Sequence, residues 1–247
     1  MMNHSDKQLD SKNDIIRTPF WYQDLSDHTF PTIFLRLKPQ EVEALANGEV
    51  SGDIPSEIKL RMKHPMSSFP GNCFVFTDLA APTDTERFLH KNGAVYSPAS
   101  AWRYLAESEK IRKLAGEGLI EHICIRPFRR MSKPREFRLF IKGGKLRGMS
   151  QYWLIRHYRR LDGRRNEYWD RALKFIDNIS WLLPDPDIVM DIYFTSDNDI
   201  LIIDFNAWGE GTSPLMLKSW DIDWNTEHGI KLIEPPSKLS GDVSVSF

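Results

Sequence analysis

The chain has 247 residues, with 33 Lys+Arg against 34 Asp+Glu, 41% apolar side chains and 27% charged ones. That length and apolar content fit one large domain or two joined lobes with a real core, while two cysteines, Cys73 and Cys124, exclude a disulfide framework or a paired CxxC zinc site and make a reducing cytoplasm the simplest compartment. A polar N-terminus and the lack of any apolar run near the roughly 20 residues of a membrane span argue against Sec-type export and membrane insertion.

Residues 1–15 are rich in Ser, Asp, Asn and Lys and read as a disordered leader, with order expected to begin near Pro19. Residues 32–37 read as a strand, the stretch from Pro39 through Leu45 as a short helix, and 72–76 as a second buried strand. Two helices are expected over 84–92 and 98–115, the second capped by Ser97 with Pro98 at the first helical position, where its missing N–H costs nothing. Strands over 136–142 and 145–153 flank Gly143-Gly144, a two-residue hairpin turn. Residues 166–183 read as a helix whose apolar face includes Trp169, Leu173, Ile176, Ile179 and Trp181, and a second hairpin joins 187–195 to 200–206. The tail from Glu227 carries little pattern. Two hairpins with intervening helices predict an α+β fold of two lobes built on antiparallel sheets, over about 16–120 and 121–225, with a tail over 226–247.

Charge is distributed unevenly along this frame. From Arg126 to Arg165 fourteen Lys/Arg face only Glu136 and Asp162, whereas from Asp185 onward twelve Asp/Glu face three Lys. Two solvated faces that neutralise each other, or an anion site beside a cation site, both fit.

The second hairpin carries the strongest chemical signal. Asp204 and Asn206 share a face, and pairing Thr195 with Ile200 sets Asp191 opposite Asp204, with Cβ atoms roughly 4.5–5.5 Å apart. Two carboxylates so placed among apolar neighbours need a proton, a cation or a cationic side chain between them. Two carboxylates and a carboxamide suit Mg²⁺ or Mn²⁺; a shifted register or an arginine from elsewhere also resolves the conflict. In the first hairpin, pairing Lys142 with Lys145 sets Arg138 opposite Met149 and Glu136 opposite Gln151, a polar row in which the guanidinium fork of Arg138 suits phosphate oxygens. Neither a P-loop nor a GxGxxG fingerprint is present. His122 beside Cys124 reads as packing or a local hydrogen bond. The run from Arg156 to Arg165 is similar to a nucleic-acid patch, but without net basic charge nucleic acid is not the expected partner.

The runs PREFRLFIKGGKLRGMSQYW and VMDIYFTSDNDILIIDFNAWGEGTSPLMLKSW, with WYQDLSDHTFPTIFLRL and Ala81-Pro82 before them, resemble the cell division cycle 123 family over roughly residues 20–222. The resemblance implies an ATP-grasp fold and, in eukaryotes, assistance in assembling translation initiation factor 2. It implies ATP and Mg²⁺ as ligands, with Asp191, Asp204 and Asn206 on the metal and Arg138 near the phosphates. It places the adenine-side hinge on EHICIRPF, around Ile125, Arg126 and Phe128; Gln151 joins this nucleotide set. Where the family usually has a phosphate-binding lysine this chain has Phe76, where the hinge has a lysine it has Pro127, and where an arginine follows SQ it has Tyr152.

Three functions follow as expectations. The first is a cytoplasmic Mg-ATP-binding protein acting through a protein partner, a translation initiation factor subunit or an analogue. The second is an ATP-grasp ligase or kinase, and the third a nucleic-acid-binding module. Trp208, Trp220 and Trp224 read equally as core or as a partner surface.

Overall fold

The computed structural model describes residues 12–236, Asn198 excepted. Most of the expected leader therefore lies outside the described residues, although Lys12–Ile16 already forms a short helix, α1. It is followed by helix α2 (Thr18–Leu25), strand β1 (Ile33–Arg36), helix α3 (Pro39–Ala46), helix α4 (Asp53–Ser67) and strand β2 (Cys73–Thr77). Next come helices α5 (Glu86–Lys91), α6 (Pro98–Ala106) and α7 (Glu109–Gly116), then strand β3 (His122–Pro127). The second half holds strands β4 (Glu136–Lys142) and β5 (Lys145–Gln151), helices α8 (Arg159–Asp162) and α9 (Arg165–Ile179), and strands β6 (Ile188–Phe194), β7 (Ile200–Ala207) and β8 (Gly229–Lys231).

Local chemistry accounts for several of these boundaries. Pro39 and Pro98 open α3 and α6, and the Ser97 hydroxyl accepts from the Ser100 amide, as expected. The single helix expected over 98–115 is instead two, because the Ser108 hydroxyl accepts from the Ile111 amide and starts a new helix there. Helix α4 was not expected from the sequence. Pro55 sits in its first turn and Pro65 in its last, which masks a helix that buries Ile58, Met62 and Met66 at helical spacing. Helix α9 ends at Ile179, and Trp181, expected on its apolar face, is exposed.

The strands form two sheets, ordered β1-β3-β2 and β7-β6-β4-β5-β8. Every pairing is antiparallel except β5 with β8, so the larger sheet is mixed, and the tail from Glu227 that showed no pattern supplies its edge strand and the buried Ile230 and Leu232. Strand β3 lies between β1 and β2 in the smaller sheet. The smaller sheet packs on α3, α4, α6 and α7 around Leu45, Ile58, Met62, Trp102 and Ile123. The larger sheet packs on α9 around Phe137, Met190, Ile192 and Ile176, and Trp21 and Leu25 of α2 join this second core despite their place early in the chain.

Both hairpins pair differently from expectation, and each contains a bulge. Lys142 does face Lys145, but the register shifts after Ile141, leaving Arg147 as an extra residue, and Arg138 pairs with Ser150 and Phe137 with Gln151. In the second hairpin Phe194, not Thr195, faces Ile200, and a bulge at Ile203 restores Asp191 opposite Asp204. A bulge adds one residue to one strand and so resets every pairing beyond it.

Candidate functional site

A cleft of about 530 Å³ opens between the two sheets. Phe74 and the segment 79–83 wall it on the smaller-sheet side, with Phe88 and Leu89 of α5, and Asp191, Asp204 and Asn206 lie on the facing sheet. Alternation along the strands explains the placement: Leu139, Met190 and Phe205 point into the α9 core, so Arg138, Asp191 and Asp204 point the other way. The bulge at Ile203 lets Ile202 stay in that core while Ile203 and Asp204 both reach the cleft.

The polar floor is tightly connected. Arg138 grips Asp191 bidentately, Nε to Oδ1 at 2.7 Å and Nη2 to Oδ2 at 2.8 Å, and its Nη1 donates to the Ser213 carbonyl at 3.0 Å. Asn206 Nδ2 adds a third donor to Asp191 Oδ2 at 3.1 Å. Asp204 has no such partner: its Oδ1 accepts from the Phe205 amide at 2.9 Å, and burial beside Asp191 pushes its pKa up to about 7. Burial, with Asp191 near, also lifts Glu136 on the same sheet to about 7.

Arg126 approaches from the other lobe. Its Nε donates to Thr32 Oγ1 at 2.9 Å and its Nη1 to the Ile203 carbonyl at 3.0 Å, with the guanidinium 4.5 Å from the centre of the Phe76 ring. Its Nη2 is buried without a hydrogen-bond partner. Phe76 therefore occupies a packed position under an arginine. Along the cleft lining Phe88 stacks on Trp153, and the Lys133 ammonium lies 4.6 Å from the centre of the same indole.

Of the residues singled out from the sequence, the cleft brings together Arg126, Phe128, Arg138, Asp191, Asp204 and Asn206. Two stand apart. Ile125 is fully buried in the smaller core, and Gln151 shares the core-facing side of β5, where its Nε2 donates to the carbonyls of Trp153 and Arg156 and its Oε1 accepts from the Ile233 amide. A one-residue difference in the hairpin register separates this placement from the expected pairing of Gln151 with Glu136. Lys110, Thr83 and Ile203 line the cleft but were not singled out, since no strand or motif pattern points to them. The three tryptophans pack with Phe140 and one another on the face of the larger sheet that also carries Arg138 and Asp191, with Trp224 buried and Trp208 and Trp220 partly so.

Among the described residues no three His, Cys, Asp or Glu side chains converge as a metal group. The two carboxyls and one carboxamide nevertheless fit a hard divalent ion. Burial and Asp191 lift the Asp204 carboxyl although Arg126 and Arg138 oppose the shift, and its Oδ2 and the Asn206 Oδ1 accept no hydrogen bond from a described residue.

Two lobes of mixed helix and sheet, with a cleft between them that has an acidic floor and cationic walls, define an α+β protein. The fold matches that of Cdc123 from Schizosaccharomyces pombe with a TM-score of 0.72 at 18% identity, over 85% of this chain and 90% of that one. Residues 74–235 match the D123 family, and the chain belongs to it. A CDC123-like protein of Acanthamoeba polyphaga mimivirus is 27% identical over 223 residues, 83% of this chain and 68% of its own length. The translation initiation factor eIF2 assembly protein of Danio rerio is 36% identical over 87 residues, which span 35% of this chain but only 25% of that protein. No helix among the described residues is long and apolar enough to cross a membrane.

Proposed function

We propose that the cleft binds ATP with Mg²⁺ and that the chain acts through a protein partner, a translation initiation factor subunit or an analogue of one. The observation that carries the nucleotide half is the meeting of Asp191, Asp204 and Asn206 on a floor where the Asp204 carboxyl forms no ion pair with a described residue and its pKa is lifted to about 7. The partner half rests on the relatives named as eIF2 assembly proteins. Asp204, Asp191 and Asn206 would hold the ion, which when bound supplies positive charge to the phosphate oxygens. Arg138 keeps the Asp191 carboxylate oriented, and Phe74, Phe88 and Leu89 offer apolar surface to a base. In this reading nucleotide joins the two lobes and raises the population of a closed form that the partner recognises.

Thermal unfolding of the wild type and of Asp204→Ala with ATP, with and without Mg²⁺, tests the nucleotide half. Ligand at 100 times its dissociation constant adds about 2.7 kcal/mol, so a magnesium-dependent rise in wild type that vanishes in the variant is expected. No rise at millimolar ATP overturns it. The partner half fails if a recombinant initiation factor subunit binds equally with and without Mg-ATP, or not at all.

A second reading, phosphoryl transfer to a carboxylate or hydroxyl acceptor, has one observation in its favour. Glu136 lines the cleft with a pKa near neutrality, where a carboxylate can accept a proton. Release of ADP that depends on an added acceptor and is lost in Glu136→Gln would favour it over partner binding.

A further inference from the structure

The cleft holds a cation that no strand pattern announces. Lys110 lies in the first turn of α7, and its Nζ donates to Thr83 Oγ1 at 2.6 Å. Thr83 is a neutral acceptor, and among the described residues Lys110 forms no ion pair. Of the other cations around the cleft, Arg138 is held by Asp191 and Lys133 lies over the indole of Trp153, while Arg126 is held through Nε and Nη1 by Thr32 and the Ile203 carbonyl, and Arg129 also lines the cleft. The geometry around Lys110 is also fixed in advance. Asp84 accepts from the Lys110 amide at 3.2 Å and from the Ser108 hydroxyl at 2.6 Å, which pins the first turn of α7 to the cleft wall that carries Thr83. Burial lowers the Lys110 pKa, and Asp84 and Asp204 offset this only in part. A half-buried ammonium whose only hydrogen-bond acceptor is a neutral hydroxyl is stabilised by an anion that enters beside it.

We propose that Lys110 and the Thr83 hydroxyl form an anion subsite in the cleft that takes the phosphate chain of the bound nucleotide, opposite the carboxyl of Asp204. This rests on the nucleotide reading above and goes beyond it by assigning the phosphate end to the α7 side of the cleft. The chemistry recognised is a polyphosphate, so inorganic tripolyphosphate serves as a probe that carries no base. The Lys110 side chain hydrogen-bonds only to Thr83, so Lys110→Gln is expected to fold with an unchanged midpoint, and Lys110→Arg keeps the charge in any case.

The experiment is calorimetric titration of wild type, Lys110→Gln and Lys110→Arg with Mg-ATP, adenosine and magnesium tripolyphosphate. Loss of one hydrogen bond to a charged group predicts about a ten- to hundredfold weaker affinity of Lys110→Gln for ATP and tripolyphosphate, with adenosine unchanged and Lys110→Arg close to wild type. Wild type that binds ATP, with Lys110→Gln binding it equally well, overturns the subsite and leaves the nucleotide reading standing. Equal weakening toward adenosine and ATP also overturns it, since that is the signature of a packing role. Lys110-dependent binding of tripolyphosphate without ATP binding sustains the subsite and sinks the nucleotide reading. Binding of neither ligand by wild type overturns both.

Discussion

Arg126 of β3 donates from Nη1 to the carbonyl of Ile203, the extra residue of the β7 bulge, at 3.0 Å. The bond ties the smaller sheet to the larger at the point where Ile203 and Asp204 enter the cleft. A bulge frees one carbonyl from the strand ladder, and an arginine from the other lobe takes it up. The bridge between Thr29 and Ile202, with Thr29 Oγ1 donating to the Ile202 carbonyl at 2.7 Å, reinforces the same contact.

Arg126→Ala should therefore loosen the two lobes as well as destabilise the fold. It removes charge-assisted bonds to Thr32 and Ile203, worth about 1.5–3 kcal/mol each in general, against the recovered cost of burying a guanidinium. A net loss of about 2 kcal/mol in urea unfolding is expected, together with a higher Asp204 pKa, because Arg126 is among the charges that hold it down. Unchanged stability and an unchanged Asp204 titration by NMR would show that the contact does not couple the lobes.

The pair of Arg138 and Asp191, each with an 8% exposed side chain, predicts a different pattern. Removing one partner leaves a buried charge and costs about 3–5 kcal/mol, while replacing both by apolar groups costs much less. Asp191→Ala and Arg138→Met should each be strongly destabilising, and the double variant Arg138→Met/Asp191→Leu clearly less so than their sum. Asp191→Ala should also lower the Asp204 pKa, since it deletes a neighbouring negative charge. Strict additivity in the denaturation midpoints would contradict the pairing.

Chemistry that follows strand period was readable from residue types alone: Asp191, Asp204, Asn206 and Arg138 reach the same cleft because a period of two leaves them no other face. Pairings that pass through a bulge were not, since nothing in the residue types around Arg147 or Ile203 marks an extra residue. That is why Arg138 faces Ser150 and why Gln151 lies on the core side of its strand. The opposition of Asp191 and Asp204 came out correctly because the turn register and the bulge are each one residue off, in compensating directions. Lys110 was hidden for another reason. A lysine in a first helical turn reads as a solvated side chain, and only the tertiary approach of α7 to the 79–83 segment turns it toward the cleft.

Gly93 limits how the α5 end of the cleft can be rebuilt. It has φ of +79°, and a Cβ there would lie 2.4 Å from the Tyr104 hydroxyl and 2.6 Å from the Phe74 ring. The left-handed conformation alone costs a non-glycine residue about 1–2 kcal/mol, and Tyr104 is fully buried and has little room to yield. Gly93→Ala should lose more than about 2 kcal/mol. A neighbouring change at Gly71, also at positive φ (+81°) but with open space around it, should lose only the conformational part. Equal losses in the two variants would remove the steric argument.

The pH dependence of stability follows from Asp204 and Glu136, both held near 7 in the fold against ordinary values of 3.8 and 4.5. A carboxyl whose folded pKa lies above its unfolded one binds more protons in the native state between the two values, so stability falls as pH rises through that window. The ligand-free protein should thus lose stability from about pH 5 to pH 7 and level off above it. Asp84 and Asp187, whose pKa values are lowered, act in the opposite sense, but only as pH falls below the ordinary carboxylate range. Asp204→Asn should remove about half of the slope and Glu136→Gln much of the rest, because each deletes one proton-binding difference. Mg²⁺ should stabilise wild type more at pH 8 than at pH 5, as it competes with the proton on Asp204. Urea midpoints at pH 5, 6, 7 and 8 decide the matter: a midpoint that climbs across this range, or a slope untouched by Asp204→Asn, means the two carboxyls titrate normally and the floor of the cleft carries no surplus of negative charge.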